Sequence, residues 1–238
     1  MKKTVAVIGS RGAIGNAVVD TLLADESVEA VFKFSRAEIT EHDDKVKHIF
    51  IDIEDEESIK QAAESLPEDT KFDLIFVATG ILHDEKNVFP EKSIKDISFD
   101  KLIKVLTINT IGPTLVGKYF IPYLRKDSKS TFAFLSARVG SISDNKLGGW
   151  YSYRASKTAL NQIIRNFSIE VARSNKNAIF IGLQPGTVKS FLSKPFEKNV
   201  KSENLFTPEF SAKKMLEVIE KLDSCLLYTS DAADDLYR

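Results

Sequence analysis

Cysteine is nearly missing from this chain. Cys225 is the only one in 238 residues, so neither an internal disulfide nor a thiolate metal cage can be built. The sequence fits a reducing cytoplasm, and no metal site is expected. An excess of charge of one sign is missing too: 33 basic and 34 acidic side chains give a net charge of −1. Nothing in that balance attracts nucleic acid or an anionic membrane, and neither is expected as a partner. The longest apolar run, "LIFVATGIL" from Leu74 to Leu82, is far short of the roughly 18 residues of a membrane span. The opening "MKKTVAVIGSRG" has a basic head but too few apolar residues for a secretory signal. No internal repeat, low-complexity tract or Pro/Ser-rich linker marks a domain boundary, and 43% hydrophobic content can bury one sizeable core.

What the chain does have is alternation. Short apolar runs at 4–9, 28–35, 47–52, 72–79, 130–136 and 177–183 are separated by segments of helical period at 13–24, 56–65, 99–126, 151–174 and 208–222. The runs are nearly continuous in apolar residues, as strands covered on both faces should be. The pattern predicts a single α/β domain over residues 1–222, a Rossmann-type doubly wound parallel sheet with helices on both faces. Gly112-Pro113 should kink or break the third helical segment. Such folds usually add a strand after the last helix, and none is readable here. The end "DSCLLYTSDAADDLYR" has little apolar period, so residues 223–238 are expected to be a non-native or disordered tail.

"VAVIGSRGAIGNAVVDTLL" reads as a strand, a glycine-rich turn and an amphipathic helix. Gly9 suits the positive φ of a chain leaving a sheet, Gly12 admits a pyrophosphate to the backbone, and Gly15 permits close helix-to-strand packing. With Ser10, Arg11 and Ile14 these glycines make a candidate dinucleotide cradle, one residue longer than the common G-x-G-x-x-G spacing. An NAD site usually has an acid about 20 residues further on, where this chain has Ser35 and Arg36. A guanidinium matches a 2′-phosphate in charge and donors, and Arg11 can add a second cation, so NADP(H) is expected over NAD(H). The other reading of Arg36 is a solvated surface residue beside Glu38. Asp52 either accepts a hydrogen bond from an adenine amino group or begins the turn into the next helix.

The stretch "GGWYSYRASKTAL" sets Tyr153 and Lys157 four residues apart, on one helical face. Tyr151 lies roughly 200° around the helix from Tyr153 and, with Trp150, is expected to pack or line a pocket. A phenol is a poor proton donor at neutral pH, but a nearby ammonium favours the phenolate and should lower its pKa. A carbonyl reducer needs such an acid, because negative charge grows on oxygen as hydride reaches carbon. Taken alone, Tyr-x-x-x-Lys is equally a packed ring and a solvated lysine.

Position supplies the rest. "GSRGAIG", "VATG", "INTIG", "LSARVG", "YRASK" and "LQPGTV" follow one another in the order and approximate spacing of the short-chain dehydrogenase/reductase family, which the chain resembles from residue 4 to about 222. "SARVGSISDN", "GGWYSYRASKTALN" and "LQPGTVKS" resemble its C-factor and sniffer-type carbonyl reductase branch. The resemblance implies that Tyr153 is the general acid/base and that Lys157 positions the cofactor and tunes the tyrosine. It further implies that a serine near Ser136 orients the carbonyl and that Asn109 holds a water in a proton relay. It places Pro185, Gly186 and Val188 beside the nicotinamide and Ala78, Thr79 and Gly80 on the adenosine side. Two departures matter. The family often has two consecutive serines with the second catalytic, whereas here Ser136 is followed by Ala137, so Ser136 is the first choice for the role and Ser141 the alternative. The family's "NAG" is "ATG" here, so Thr79 either replaces the amide's hydrogen bonds or the contact is lost.

The expected activity is NADPH-dependent reduction of a small aldehyde or ketone, or oxidation of the matching alcohol. The alternative is a catalytically weak dinucleotide-binding regulatory or signalling protein of the same fold. His83 and Asp84 are read as solvated loop residues. A homodimer or homotetramer is expected by resemblance.

Overall fold

The computed structural model describes residues 2–37, 43–84 and 86–222. Glu38, Cys225 and the expected tail at 223–238 lie outside the described residues.

Six parallel strands form the main sheet: β1 (Lys3–Ile8), β2 (Val28–Ser35), β3 (Val46–Phe50), β4 (Leu74–Val77), β5 (Ser130–Leu135) and β6 (Ala178–Leu183), in the order β3-β2-β1-β4-β5-β6. Side chains alternate across each strand, and the inner strands bury apolar residues on both faces. Val5, Val7, Phe76, Ala133 and Ile181 pack against α1 (Ala13–Leu23) and α6 (Pro208–Lys221). Ala6, Ile8, Phe34, Phe132 and Phe134 face the other way, against α2 (Glu56–Glu64), α4 (Gly112–Phe120) and α5 (Tyr151–Val171). Phenylalanine dominates that second layer, with Phe34 edge-on to Phe120 and Phe32 edge-on to Phe72, each with ring centroids 5.2 Å apart. This is the Rossmann-type doubly wound α/β architecture. Among the described residues, six strands make up the main sheet and no helix is long and apolar enough to cross a membrane.

Local chemistry sets the helix starts. Asp55 caps α2 by accepting from the Glu57 N–H at 3.0 Å. Thr207 caps α6, whose first residue is Pro208. Strand β4 is shorter than the expected 72–79: Phe72 instead makes an isolated bridge to Leu124, and the chain leaves the sheet at Ala78. The long third helical segment is divided into α3 (Phe99–Leu106), a π turn over Thr107–Ile111 and α4. The break therefore falls one turn ahead of Gly112-Pro113. Gly112 allows the tight approach there, since a Cβ would lie 2.5 Å from the Ile53 carbonyl oxygen.

A second, two-stranded parallel sheet pairs β7 (Thr187–Val188) with β8 (Leu205–Phe206). Two-residue strands have no periodicity to read, and the sequence reading had no counterpart for them.

Strand order reverses between β1 and β4, so the carboxyl ends of these strands diverge into a crevice. The opposite end of these strands is pinned by Asp73, which accepts from Arg125 Nε at 2.8 Å and from the Thr4 N–H at 2.8 Å. At the crevice end, a Cβ on Gly15 would sit 2.2 Å from the Gly9 carbonyl oxygen, so α1 can lie this close to β1 only without a side chain. Gly15→Ala is therefore expected to cost about 1–3 kcal/mol, read as a lower urea midpoint with an unchanged slope.

Candidate active site

The turn after β1 is built around Gly9, at φ +82°, a conformation that favours glycine. Its N–H donates to the Phe34 carbonyl at 2.9 Å, and the Ser10 hydroxyl is buried against the same oxygen. Gly12 precedes α1 and provides no side-chain cap, which leaves the first N–H groups of the helix facing outward. Unlike Gly15, Gly12 is not demanded by packing: a Cβ there would make only ordinary contact, 3.5 Å from the Gly9 oxygen. The fold does not need that glycine, whereas an anion seated on the helix N-terminus would. Thr79 lies against Gly9, and its Oγ1 is shielded from solvent without a protein partner. An unpartnered buried hydroxyl, an open glycine and a bare helix N-terminus fit a dinucleotide phosphate and its ribose.

Arg11 and Arg36 are exposed at the ends of the neighbouring strands and, among the described residues, form no ion pair. Ser35 Oγ accepts from the Ala37 N–H at 3.3 Å. Asp52 takes up a turn, its carboxylate accepting from the Glu54 N–H at 3.1 Å. Of its two readings, the turn has a bond in the structure.

Across the crevice, Lys157 is buried on α5 and donates from Nζ to the Leu135 carbonyl at 2.8 Å. Its Nζ lies 5.9 Å from the Tyr153 ring centroid. A Cβ on Gly80 would lie 3.6 Å from that Nζ and 3.5 Å from Asn109 Oδ1, which brings the ends of β4, the π turn and α5 to one point. Asn109 is fully buried, and its amide reaches outside its own helix. It accepts from the Ile81 N–H at 2.7 Å and donates to the Ile81 carbonyl at 2.8 Å and to Ser156 Oγ at 3.1 Å.

Burial pushes the Tyr153 phenol up to about 12 and the Lys157 ammonium down to about 8. The sequence reading expected the lysine to lower the phenol. In the structure Lys157 bonds a carbonyl beneath the ring, and loss of hydration opposes charge on both groups. The phenol is thus protonated at neutral pH, and the ammonium largely so.

Ser136 is buried, and its hydroxyl donates to Asn161 Oδ1 at 2.6 Å, one turn beyond Lys157. Ser141 lies closer to the surface, paired with Ser143 Oγ at 3.3 Å in the loop that accepts the Asp144 N–H. Pro185, Gly186 and Val188 run from β6 into β7, with the Pro185 carbonyl accepting from Ser211 Oγ at 3.0 Å.

Three side chains were misread or missed. His83 is not solvated: it is 6% exposed, its Nε2 sits 2.8 Å from the Phe191 carbonyl, and its ring contacts Phe89, Phe191 and Phe196. The reason is that the loop after β4 folds against the segment between β7 and β8. Tyr151 is 38% exposed and makes no ring contact among the described residues, whereas Trp150 joins the aromatic group, 5.1 Å from Phe196 and 6.2 Å from Tyr153 between ring centroids. Glu91, buried beside Ser152, was never singled out, because an acid in a polar loop carries no sequence signal of burial. The imidazole and the aromatic rings wall the approach to Tyr153.

A parallel sheet whose switch point opens on a glycine turn, with a tyrosine and a lysine facing it from a neighbouring helix, defines a Rossmann-type oxidoreductase fold. Residues 3–201 match the short chain dehydrogenase family, and the chain belongs to it. It is 28% identical over 221 residues to 1-hydroxy-2-glutathionyl-2-methyl-3-butene dehydrogenase of Rhodococcus sp. (strain AD45), covering 92% of this chain and 91% of that one. It is 30% identical over 131 residues to C-signal of Myxococcus xanthus, covering 55% of this chain and 74% of that one. Among solved structures, NADPH-bound carbonyl reductase from chicken fatty liver superposes with a TM-score of 0.80 at 26% identity, over 94% of this chain and 93% of that one. The carbonyl reductase Sniffer of D. melanogaster shares the fold, with a TM-score of 0.79 at 20% identity over 93% of each chain.

Gly12→Ala is expected to leave the urea midpoint in place while weakening dinucleotide binding about tenfold or more, the reverse of Gly15→Ala, as read by fluorescence titration. A second expectation follows from Lys157. Its folded pKa of about 8 lies below the ordinary lysine value of 10.5, so between these the unfolded chain binds more protons and stability rises with pH. The ligand-free melting temperature should carry this rise from about pH 8 to 10 in the parent and lack it in Lys157→Met.

Proposed function

We propose that this short-chain oxidoreductase reduces small, predominantly apolar aldehydes or ketones with NADPH, Tyr153 supplying the proton. The observation that carries the reading is Tyr153 beside the buried Lys157, set against Gly80 and Asn109 at the mouth of the glycine turn. NADPH, when bound, supplies the hydride. The turn at Gly9, Ser10, Gly12, Ile14 and Gly15 receives the pyrophosphate, with Ala78, Thr79 and Gly80 flanking the adenosine side. Arg36 and Arg11 meet the 2′-phosphate with exposed guanidiniums, and the NADPH-bound chicken enzyme, similar over nearly the whole chain, supports the cofactor assignment.

Lys157, bonded to the Leu135 carbonyl, would hold the nicotinamide ribose. Pro185, Gly186 and Val188 border the nicotinamide. The carbonyl oxygen sits at the Tyr153 hydroxyl, and the proton moves from phenol to that oxygen as negative charge accumulates on it. Burial keeps the phenol neutral, which suits reduction: the donor already holds the proton it must give. Oxidation of an alcohol would require the phenolate first. Ser136 or Ser141 holds the carbonyl. Ser136 is committed to Asn161, so of the two hydroxyls Ser141 is the one not bonded into the interior. Both donors of the Asn109 amide and one lone pair of its oxygen are engaged by Ile81 and Ser156, which favours a relay through backbone and water at the π turn rather than through the amide itself.

A second reading, a dinucleotide-binding signalling protein with little turnover, is favoured by the similarity to C-signal. Turnover separates the two. NADPH oxidation is expected with a panel of aldehydes, ketones and quinones, and Tyr153→Phe should lower kcat by roughly 10²–10⁴-fold with NADPH binding retained. NADPH binding with no turnover on any carbonyl would favour the signalling reading. Arg36→Ala should raise the Kd for NADPH about tenfold or more while changing that for NADH less than threefold, and an equal loss for both would remove the 2′-phosphate assignment.

A further inference from the structure

Helix α5 begins in an unusual way. Gly148, Gly149 and Trp150 follow one another at φ +67°, +64° and +51°, and Trp150 occupies the N-cap position without a side-chain cap. A left-handed bulky residue is strained and persists only where its surroundings hold it. The holding group is Glu91. Its backbone carbonyl accepts from the Trp150 N–H at 2.6 Å, and its carboxylate accepts from the Ser152 N–H at 3.2 Å and from the Ser152 hydroxyl. The carboxylate thus does for α5 what an N-cap side chain does elsewhere, but from a loop sixty-one residues away in sequence. On the other side of the turn, Arg154 Nε donates to the Gly149 carbonyl at 3.1 Å. Glu91 is 2% exposed, a costly place for a carboxylate unless its bonds are needed.

What these bonds fix is the residue that follows. Tyr153 is next to Ser152 in the first turn of α5, and Trp150 stands 6.2 Å from it, tilted edge to face. Glu91, Ser152 and Tyr153 line the same narrow cleft, together with Leu82, Phe89 and Val105. We propose that Glu91 is a positioning residue for the reaction: by clamping Trp150 and Ser152 it holds the first turn of α5 so that the Tyr153 hydroxyl meets the carbonyl oxygen. The inference rests on Tyr153 being the proton donor. A residue that only stabilised the fold would cap the helix equally well without setting the tyrosine.

The test uses the whole chain with Glu91→Gln, which keeps one acceptor oxygen, Ser152→Ala and the double variant. With kcat taken per NADPH-binding site, each single variant is expected to lose about tenfold in kcat, with KM for the carbonyl and Kd for NADPH within about twofold. The double variant should lose little more than either single one, because both cut the same bond. The backbone amides of Ser152, Tyr153 and Arg154 should exchange faster with solvent in Glu91→Gln, while those of Leu160 to Ile164 stay as in the parent. An unchanged kcat per binding site would overturn the inference. So would a loss of activity matched by an equal loss of NADPH sites and by faster exchange throughout α5, since Glu91 would then be a stabilising cap only. If the parent reduced no carbonyl, the acid role of Tyr153 would fail by itself. The ring carbon resonance of ¹³C-tyrosine at position 153 would still decide whether Glu91 sets that side chain: a shift in Glu91→Gln supports it, and an unmoved signal overturns it.

Discussion

The amide of Asn109 is the contact on which the site depends. It joins three segments distant in sequence: the chain leaving β4 at Ile81, the π turn, and α5 at Ser156. A regular helix through residues 107–111 would rotate this side chain away, so the wider turn and the bonded amide require each other. Thr110 reinforces the junction by donating to the Ser156 carbonyl at 2.8 Å. Because Gly80 and Lys157 pack at the same point, the two walls of the crevice are set by one buried polar group. Leaving either of its ends unsatisfied would cost about 1–3 kcal/mol, a sizeable part of a domain's net stability.

Beneath that junction, burial and not charge pairing governs the electrostatics. Lys157 and Tyr153 share a helical face, but the ammonium is turned to the Leu135 carbonyl and the ring lies above it. Desolvation then pushes the two groups in opposite directions, and both move toward neutrality. At neutral pH the phenol therefore holds its proton. Its aromatic surroundings, Trp150, Phe196 and the ring of His83, set apolar surface beside the tyrosine ring.

The sheet was readable because its inner strands are buried on both faces, which makes β4, β5 and β6 nearly continuous apolar runs. The glycine turn was legible because it stands between a strand and a helix, and Tyr153 and Lys157 were singled out by helical spacing only together with their place among the other motifs. Ser136 against Ser141 was not, since nothing in "LSARVG" reveals that Asn161 takes the first hydroxyl. His83 and Glu91 illustrate the same limit. Whether a polar loop residue is buried depends on which distant segment covers it, and the cover here comes from residues 189–200 for one and from the start of α5 for the other. The β7–β8 pairing was invisible because two residues have no period.

That pairing has an architectural consequence. The chain between Val188 and Leu205 leaves and re-enters the molecule at adjacent points, because Thr187 pairs with Leu205 and Val188 with Phe206. Gly186 seals the entry, where a Cβ would lie 2.8 Å from the Phe206 ring. The segment carrying Phe191 and Phe196 is therefore an interchangeable cassette: its ends are fixed by backbone pairing, and lengthening it costs closure entropy that grows only with the logarithm of its length. The shape of the pocket can diverge there between relatives while the sheet, the glycine turn and the tyrosine stay in place.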